Sequence, residues 1–141
     1  MIDITSANAT VALSVDSLYT VELQQFGADS SFTSDTQQTA ETRMGVDGHL
    51  VAGYTPAAKT VTITLEPSSP SLVYLQLLKQ ASETNQKVYE CNMVISIPSI
   101  GKRYSYSNGV LSSCKDLPDG NSVLAPTQWI FTFEGLSVEG L

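Results

Sequence analysis

Between Lys59 and Leu65 every second residue is aliphatic: Val61, Ile63 and Leu65 alternate with Thr60, Thr62 and Thr64. A strand sends successive side chains to opposite sides, so this period of two predicts one buried face and one hydroxylated face. The same period recurs where Val11, Leu13 and Val15 alternate with Ala12 and Ser14, and where Val21 and Leu23 alternate with Glu22 and Gln24. It returns at Cys91, Met93, Ile95 and Ile97 against Asn92, Val94 and Ser96, which puts Cys91 in phase with core residues as a small hydrophobe. Trp129, Phe131 and Phe133 form an aromatic row opposite Ile130, Thr132 and Glu134, the expected anchor of the core. The 18 Ser and 14 Thr suit short strands with hydroxylated outer faces, so the expected fold class is mainly β.

One segment breaks the alternation. Over 71–84, Leu72, Leu75, Leu78 and Ser82 share one helical face, with Tyr74, Leu77 and Ala81 beside them. Ser69 and Pro70 suit an N-cap and first helical position, and Asn85 suits a stop, so a single amphipathic helix is expected to flank the sheet. Asp47-Gly48 can supply the positive φ of a tight hairpin turn between Met44 and Val51, and Pro98 to Gly101 can reverse the chain. Asn108-Gly109 fits either a hairpin tip or a bulge in a long strand over 103–115. Residues 118–126, with Asp119-Gly120, read as an exposed loop, and with no internal repeat the 141 residues are expected to form one domain.

Charge narrows the functions. Fourteen acidic against seven basic residues give a net charge of −7, which argues against a protein that grips nucleic-acid phosphates. The imbalance is local: Asp3, Asp16, Glu22, Asp29, Asp35 and Glu41 precede Arg43, the first basic residue. A start without positive charge or an apolar run predicts no secretory leader, and no stretch is long and apolar enough for a membrane anchor. Cys91 and Cys114, widely separated, are expected as free thiols.

No catalytic constellation stands out. Any triad would need His49, the one histidine, which follows a turn and is expected to be an exposed hairpin residue. One His and two distant Cys do not make a zinc site, and no glycine-rich loop opens a helix, so neither a metal nor a cofactor is expected. Asp116 and Asp119 sit beside Pro118 and Gly120 in a solvated turn setting, and Lys102-Arg103 beside Tyr104 reads as a strand start.

The order of elements adds a family likeness. Gly45-Val46-Asp47-Gly48-His49-Leu50-Val51 is followed by Lys59-Thr60-Val61-Thr62-Ile63-Thr64-Leu65, then by Ser68-Ser69-Pro70-Ser71-Leu72 opening the helix, and later by the aromatic strand from Gln128 to Phe133. This series resembles the tail tube proteins of contractile-tailed bacteriophages over most of the chain. The resemblance implies a β-sandwich or barrel-like fold with one flanking helix, hexameric rings, and stacking of rings into a conduit for DNA ejection. It also implies tail sheath and baseplate proteins as partners, no enzymatic activity, and a location in the virion tail after assembly in the host cytoplasm.

Under that resemblance an acidic wall would let the phosphate backbone slide without specific binding, because like charges repel. Glu22, Asp35, Glu41 and Asp47 are the lumen-facing candidates. The segment 45–59 is the candidate ring-stacking loop, carried by Gly45, Asp47, His49, Tyr54 and Pro56. Two other readings stand beside it: a tube subunit of a contractile secretion or bacteriocin-like particle, and a monomeric β-sandwich that binds a small ligand.

Overall fold

The computed structural model describes residues 1, 3, 8–16, 18–23 and 32–141. Asp29 and Gln24 therefore lie outside the described residues. The chain runs through β1 (Thr10–Val15), β2 (Tyr19–Leu23), β3 (Phe32–Ser34), β4 (Ala40–Met44), β5 (Leu50–Tyr54), β6 (Lys59–Leu65), α1 (Leu72–Asn85), β7 (Cys91–Ile97), β8 (Lys102–Lys115) and β9 (Thr127–Gly140). Among the described residues, seven strands form one antiparallel sheet in the order β2-β1-β7-β8-β9-β6-β3, and β4 with β5 makes a separate hairpin.

The two 14-residue strands bend this sheet into a sandwich. Residues 102–109 of β8 pair with β7, whereas its pairing with β9 continues to Lys115. Likewise β9 pairs with β6 only over 127–133, although β8 accompanies it to Gly140. One layer is thus β2-β1-β7 with the first half of β8 and the second half of β9; the other is β6-β3 with the remaining halves. Long strands that change layers at bulges are how such corners are made. The irregularities are where that requires them, opposite Asn92 in β7 and between Leu111 and Ser113 in β8. Asn108 takes a left-handed conformation (φ 54°) with its N–H on Asn92 Oδ1 at 3.1 Å, so Asn108-Gly109 is a bulge and not a hairpin tip. Gly109 is required there, since a Cβ would overlap the Phe133 ring and stand 2.7 Å from the Thr132 carbonyl.

The inner faces carry the residues that the period of two selects. Val11, Leu13, Val15, Val61, Ile63, Leu65, Cys91, Met93, Trp129, Phe131 and Phe133 are all buried in one cluster. Phe131 and Phe133 lie 6.2 Å apart, and Tyr106 continues the row 5.2 Å from Phe133. Trp129 donates its indole N–H to the buried Thr127 hydroxyl at 3.2 Å, which in turn donates to the Leu65 carbonyl at 3.5 Å, so the one polar edge of the ring is satisfied. Thr60, Thr62 and Thr64 share the outer face with Gln128, Ile130 and Thr132.

The helix starts later than the sequence suggests. Leu72 is its first residue and Ser71 its N-cap, while Ser69 accepts the Ser71 N–H at 3.2 Å in the preceding turn. Ser69 and Pro70 therefore form the turn that leads in, which shortens the helix without changing its buried face of Leu72, Leu75 and Leu78. The stop is as expected, with Asn85 last and Gln86 in the left-handed region at φ 51°. From one end of α1 the Tyr74 ring packs 5.2 Å from Tyr19 in β2, and further along Lys79 reaches Asp116, just beyond β8, at 2.7 Å. The helix thus spans from the β2 edge to the far end of β8.

Candidate functional site

No described group of three or more His, Cys, Asp or Glu side chains is placed to hold a metal ion. His49 sits at the exposed turn of the β4–β5 hairpin, its Nδ1 3.0 Å from Asp47 Oδ2. Asp47 also accepts the His49 backbone N–H at 3.1 Å, and this bond, with the imidazole second, holds the Asp47 carboxyl below the usual carboxylate range. These are the bonds of a tight turn, closed by Gly45 N–H on the His49 carbonyl at 2.8 Å and by Gly48 at φ 86°. Asp116 and Asp119 each take a lysine, Lys79 at 2.7 Å and Lys115 at 2.8 Å, and Arg103 meets Glu139 at 3.5 Å. Lys79 holds Asp116 below the usual carboxylate range, and Asp116 holds Lys79 above the usual lysine range.

Both cysteines are free thiols, Cys91 buried and Cys114 half-buried. Burial pushes the Cys91 thiol up to about 11, so it is an inert core group and not a nucleophile. A cleft of about 290 Å³ opens between the layers, lined by Phe32 to Ser34 on one side and by Ile95, Tyr104 and Tyr106 on the other. A Ser34 side-chain hydrogen bond to Tyr106 crosses it. Its lining holds no titratable group beyond the two tyrosines.

What the structure does display is unfinished sheet. Residues 134–140 of β9 have β8 on one side and, among the described residues, no strand on the other. β2 and β3 end the strand order and are likewise paired on one side. Lys59 Nζ donates to the Glu134 carbonyl at 3.1 Å, just past the point where β6 begins and its pairing with β9 ends. The remaining edge offers backbone groups to another strand.

The four acidic candidates do not converge within one copy. Glu22 lies on β2 and Asp35 directly after β3, at opposite ends of the strand order, whereas Glu41 and Asp47 share the hairpin. All four are exposed. Of the stacking candidates, Gly45, Asp47 and His49 build the turn, Tyr54 ends β5, and Pro56 lies in the link to β6. The segment expected as a loop is thus largely an ordered hairpin. All ten residues of its strands are exposed, a feature that the unbroken non-polar run Leu50–Tyr54 does not reveal.

Comparison with known proteins follows the same lines. A family model described as tail fiber protein gp32 matches residues 2–137. No curated protein sequence matches the chain. Among solved structures, a chain in the anti-feeding prophage cap (the tube-terminating cap) shares the fold with a TM-score of 0.69 and 14% identity, covering 100% of this chain and 93% of that one. A chain in the six-fold symmetrised anti-feeding prophage baseplate gives 0.66 at 13% identity, covering 99% and 97%. A chain in the sheath–tube complex of an extracellular contractile injection system gives 0.63 at 12% identity, covering 93% and 88%.

Proposed function

The chain belongs to the tail fiber protein gp32 family, which makes it a tail component, and from its resemblance to tail tube proteins and the fold it shares with chains of tube-bearing particles we propose that its copies form closed rings that stack into the inner tube of a contractile tail, a conduit through which DNA leaves the virion. The observation that carries this is the half-paired β9: residues 134–140 present an edge that a strand of a neighbouring copy completes. A head-to-tail contact of this kind closes into a ring when its rotation closes, and six copies is the number that the likeness to tail tube proteins implies. Sheath and baseplate proteins are the partners of such a tube, and assembly takes place in the host cytoplasm.

Glu22, Asp35, Glu41 and Asp47 face the channel in this reading. Their distribution over two terminal strands and the hairpin means that a continuous acidic wall arises only when neighbouring copies bring these elements together. No ion-pair partner stands opposite Glu22, Asp35 or Glu41 among the described residues, so their charge is available to repel phosphate. The segment 45–59 makes the contact between successive rings.

Electron microscopy of the concentrated protein tests the reading: rings or tubes are expected, and particles that remain single at high concentration would overturn it. A resolved channel lined mainly by Lys and Arg would reject the acidic wall alone. Deleting residues 52–57 is expected to leave folded subunits that form no long tubes. A second reading, a tube subunit of a contractile secretion or bacteriocin-like particle, is favoured by the fold shared with chains of the anti-feeding prophage cap and of an extracellular contractile injection system. Neighbouring sheath and tape-measure genes, or secretion-apparatus genes, discriminate the two.

A further inference from the structure

The β4–β5 hairpin has two unlike faces. Directly opposed residues of an antiparallel pair share a face, so Ala40 with Tyr54, Thr42 with Ala52 and Met44 with Leu50 lie on one side, and Glu41 with Gly53 and Arg43 with Val51 on the other. The first face has no charge and carries three large apolar side chains, Met44 at 63%, Leu50 at 62% and Tyr54 at 80% exposure. Among the described residues these two five-residue strands have no third neighbour and no covering layer; such a pair is marginal in water, and a contiguous exposed apolar face marks a contact surface.

We propose that the Met44, Leu50 and Tyr54 face of this hairpin is covered by a second copy of the chain, while the Glu41, Arg43 and Val51 face stays in solvent. This rests on the ring reading above and specifies which side of the stacking segment is buried. Two observations select a second copy as the occupant. The root of the hairpin is continuous with the open strand edge: Tyr54, Pro56 and Lys59 line one cleft together with Phe133 and Glu134, where residues 134–140 begin. A copy that pairs with that edge is carried against Tyr54. The second observation is electrostatic. Each copy carries a net charge of −7, so contact between copies costs least through a surface that buries no unpaired carboxylate, and this face has none.

Leu50 and Val51 are adjacent, similarly exposed and on opposite faces, so Leu50→Glu and Val51→Glu form a matched pair whose folding is unaffected by core packing. With assembly followed by sedimentation velocity and electron microscopy, Leu50→Glu is expected to raise the concentration needed for rings and tubes about tenfold or more, and Val51→Glu to change it by about twofold at most. Amide exchange and side-chain footprinting should show protection at Met44, Leu50 and Tyr54 in the assembled wild type. If wild type assembles and Leu50→Glu assembles equally well, or both variants fail alike, the face assignment is overturned and the ring reading stands. If the apolar face stays unprotected in assembled wild type, a different tail protein is its occupant and the proposal falls. If wild type itself never assembles, both fall.

Discussion

Residues 127–133 and 134–140 are two stretches of one strand in different surroundings. The first runs between β8 and β6 and directs Trp129, Phe131 and Phe133 into the core. The second has, among the described residues, β8 alone, and apart from the half-buried Leu136 its side chains are small or exposed: Gly135, Ser137, Val138, Glu139 and Gly140. Backbone pairing is nearly the same in kind; burial is not. Stability of the single chain therefore resides in the first stretch, because apolar area removed from water dominates folding free energy. The second contributes little until another strand covers it, and this division lets one strand serve both folding and assembly.

The widest gap between the two stretches is expected from truncation. Trp129→Ala should cost about 3–5 kcal/mol in urea unfolding, whereas Val138→Ala, at 49% exposure, should cost about 0.5 kcal/mol or less. Comparable losses would break the comparison. Gly109→Ala tests the bend that separates the layers: its Cβ has no room beside Phe133 and Thr132, and a loss of about 1–3 kcal/mol is expected by the same measurement.

Cys91 of β7, paired with Gly109 of β8, reports on the core side through pH. Its thiol ionises near 11 in the folded chain and near about 8.5 when unfolded. The folded pKa is the higher one, so its contribution is complete below about 8.5 and is lost as pH rises toward 11. Cys91→Ala should flatten the alkaline limb of a melting-temperature profile, and thiol reagents should label Cys114 well before Cys91.

Lys59→Ala removes the bond to the Glu134 carbonyl at the boundary between the two stretches, a loss of about 0.5–1 kcal/mol in denaturant titration. The smallest effect belongs to Asp116, whose carboxyl is held low by Lys79. A depressed folded pKa gives stability that is present above the unfolded carboxylate range and lost as pH falls through the folded value, so Asp116→Asn should flatten only the acid limb of the same profile.

Much of this fold was legible residue by residue. The alternation at Val61, Ile63 and Leu65, the aromatic row from Trp129 to Phe133, the Asp47-Gly48 turn and the leucine face of α1 all stand where the period and turn chemistry put them. Each depends on contacts within a few residues. The helix start moved because Ser69, Pro70 and Ser71 can each begin a helix, and the Ser69 hydroxyl instead holds the Ser71 N–H in a lead-in turn. The Asn108-Gly109 ambiguity was settled by Asn92, sixteen residues away, and by the Phe133 ring across the sheet. The acidic candidates could be named from a run of sequence without a basic residue, but not placed together.

The sequence by itself determined the strands β1, β2, β6, β7 and the first half of β9 with their buried faces, and the leucine face of the helix, because periodicity is a local consequence of backbone geometry. Only the tertiary structure decided that β8 and β9 outrun their partners, that the hairpin stands clear of the core with an uncharged side exposed, and that an edge is left unpaired among the described residues. Those features depend on strand lengths and neighbours set by contacts between distant residues, which no local pattern records.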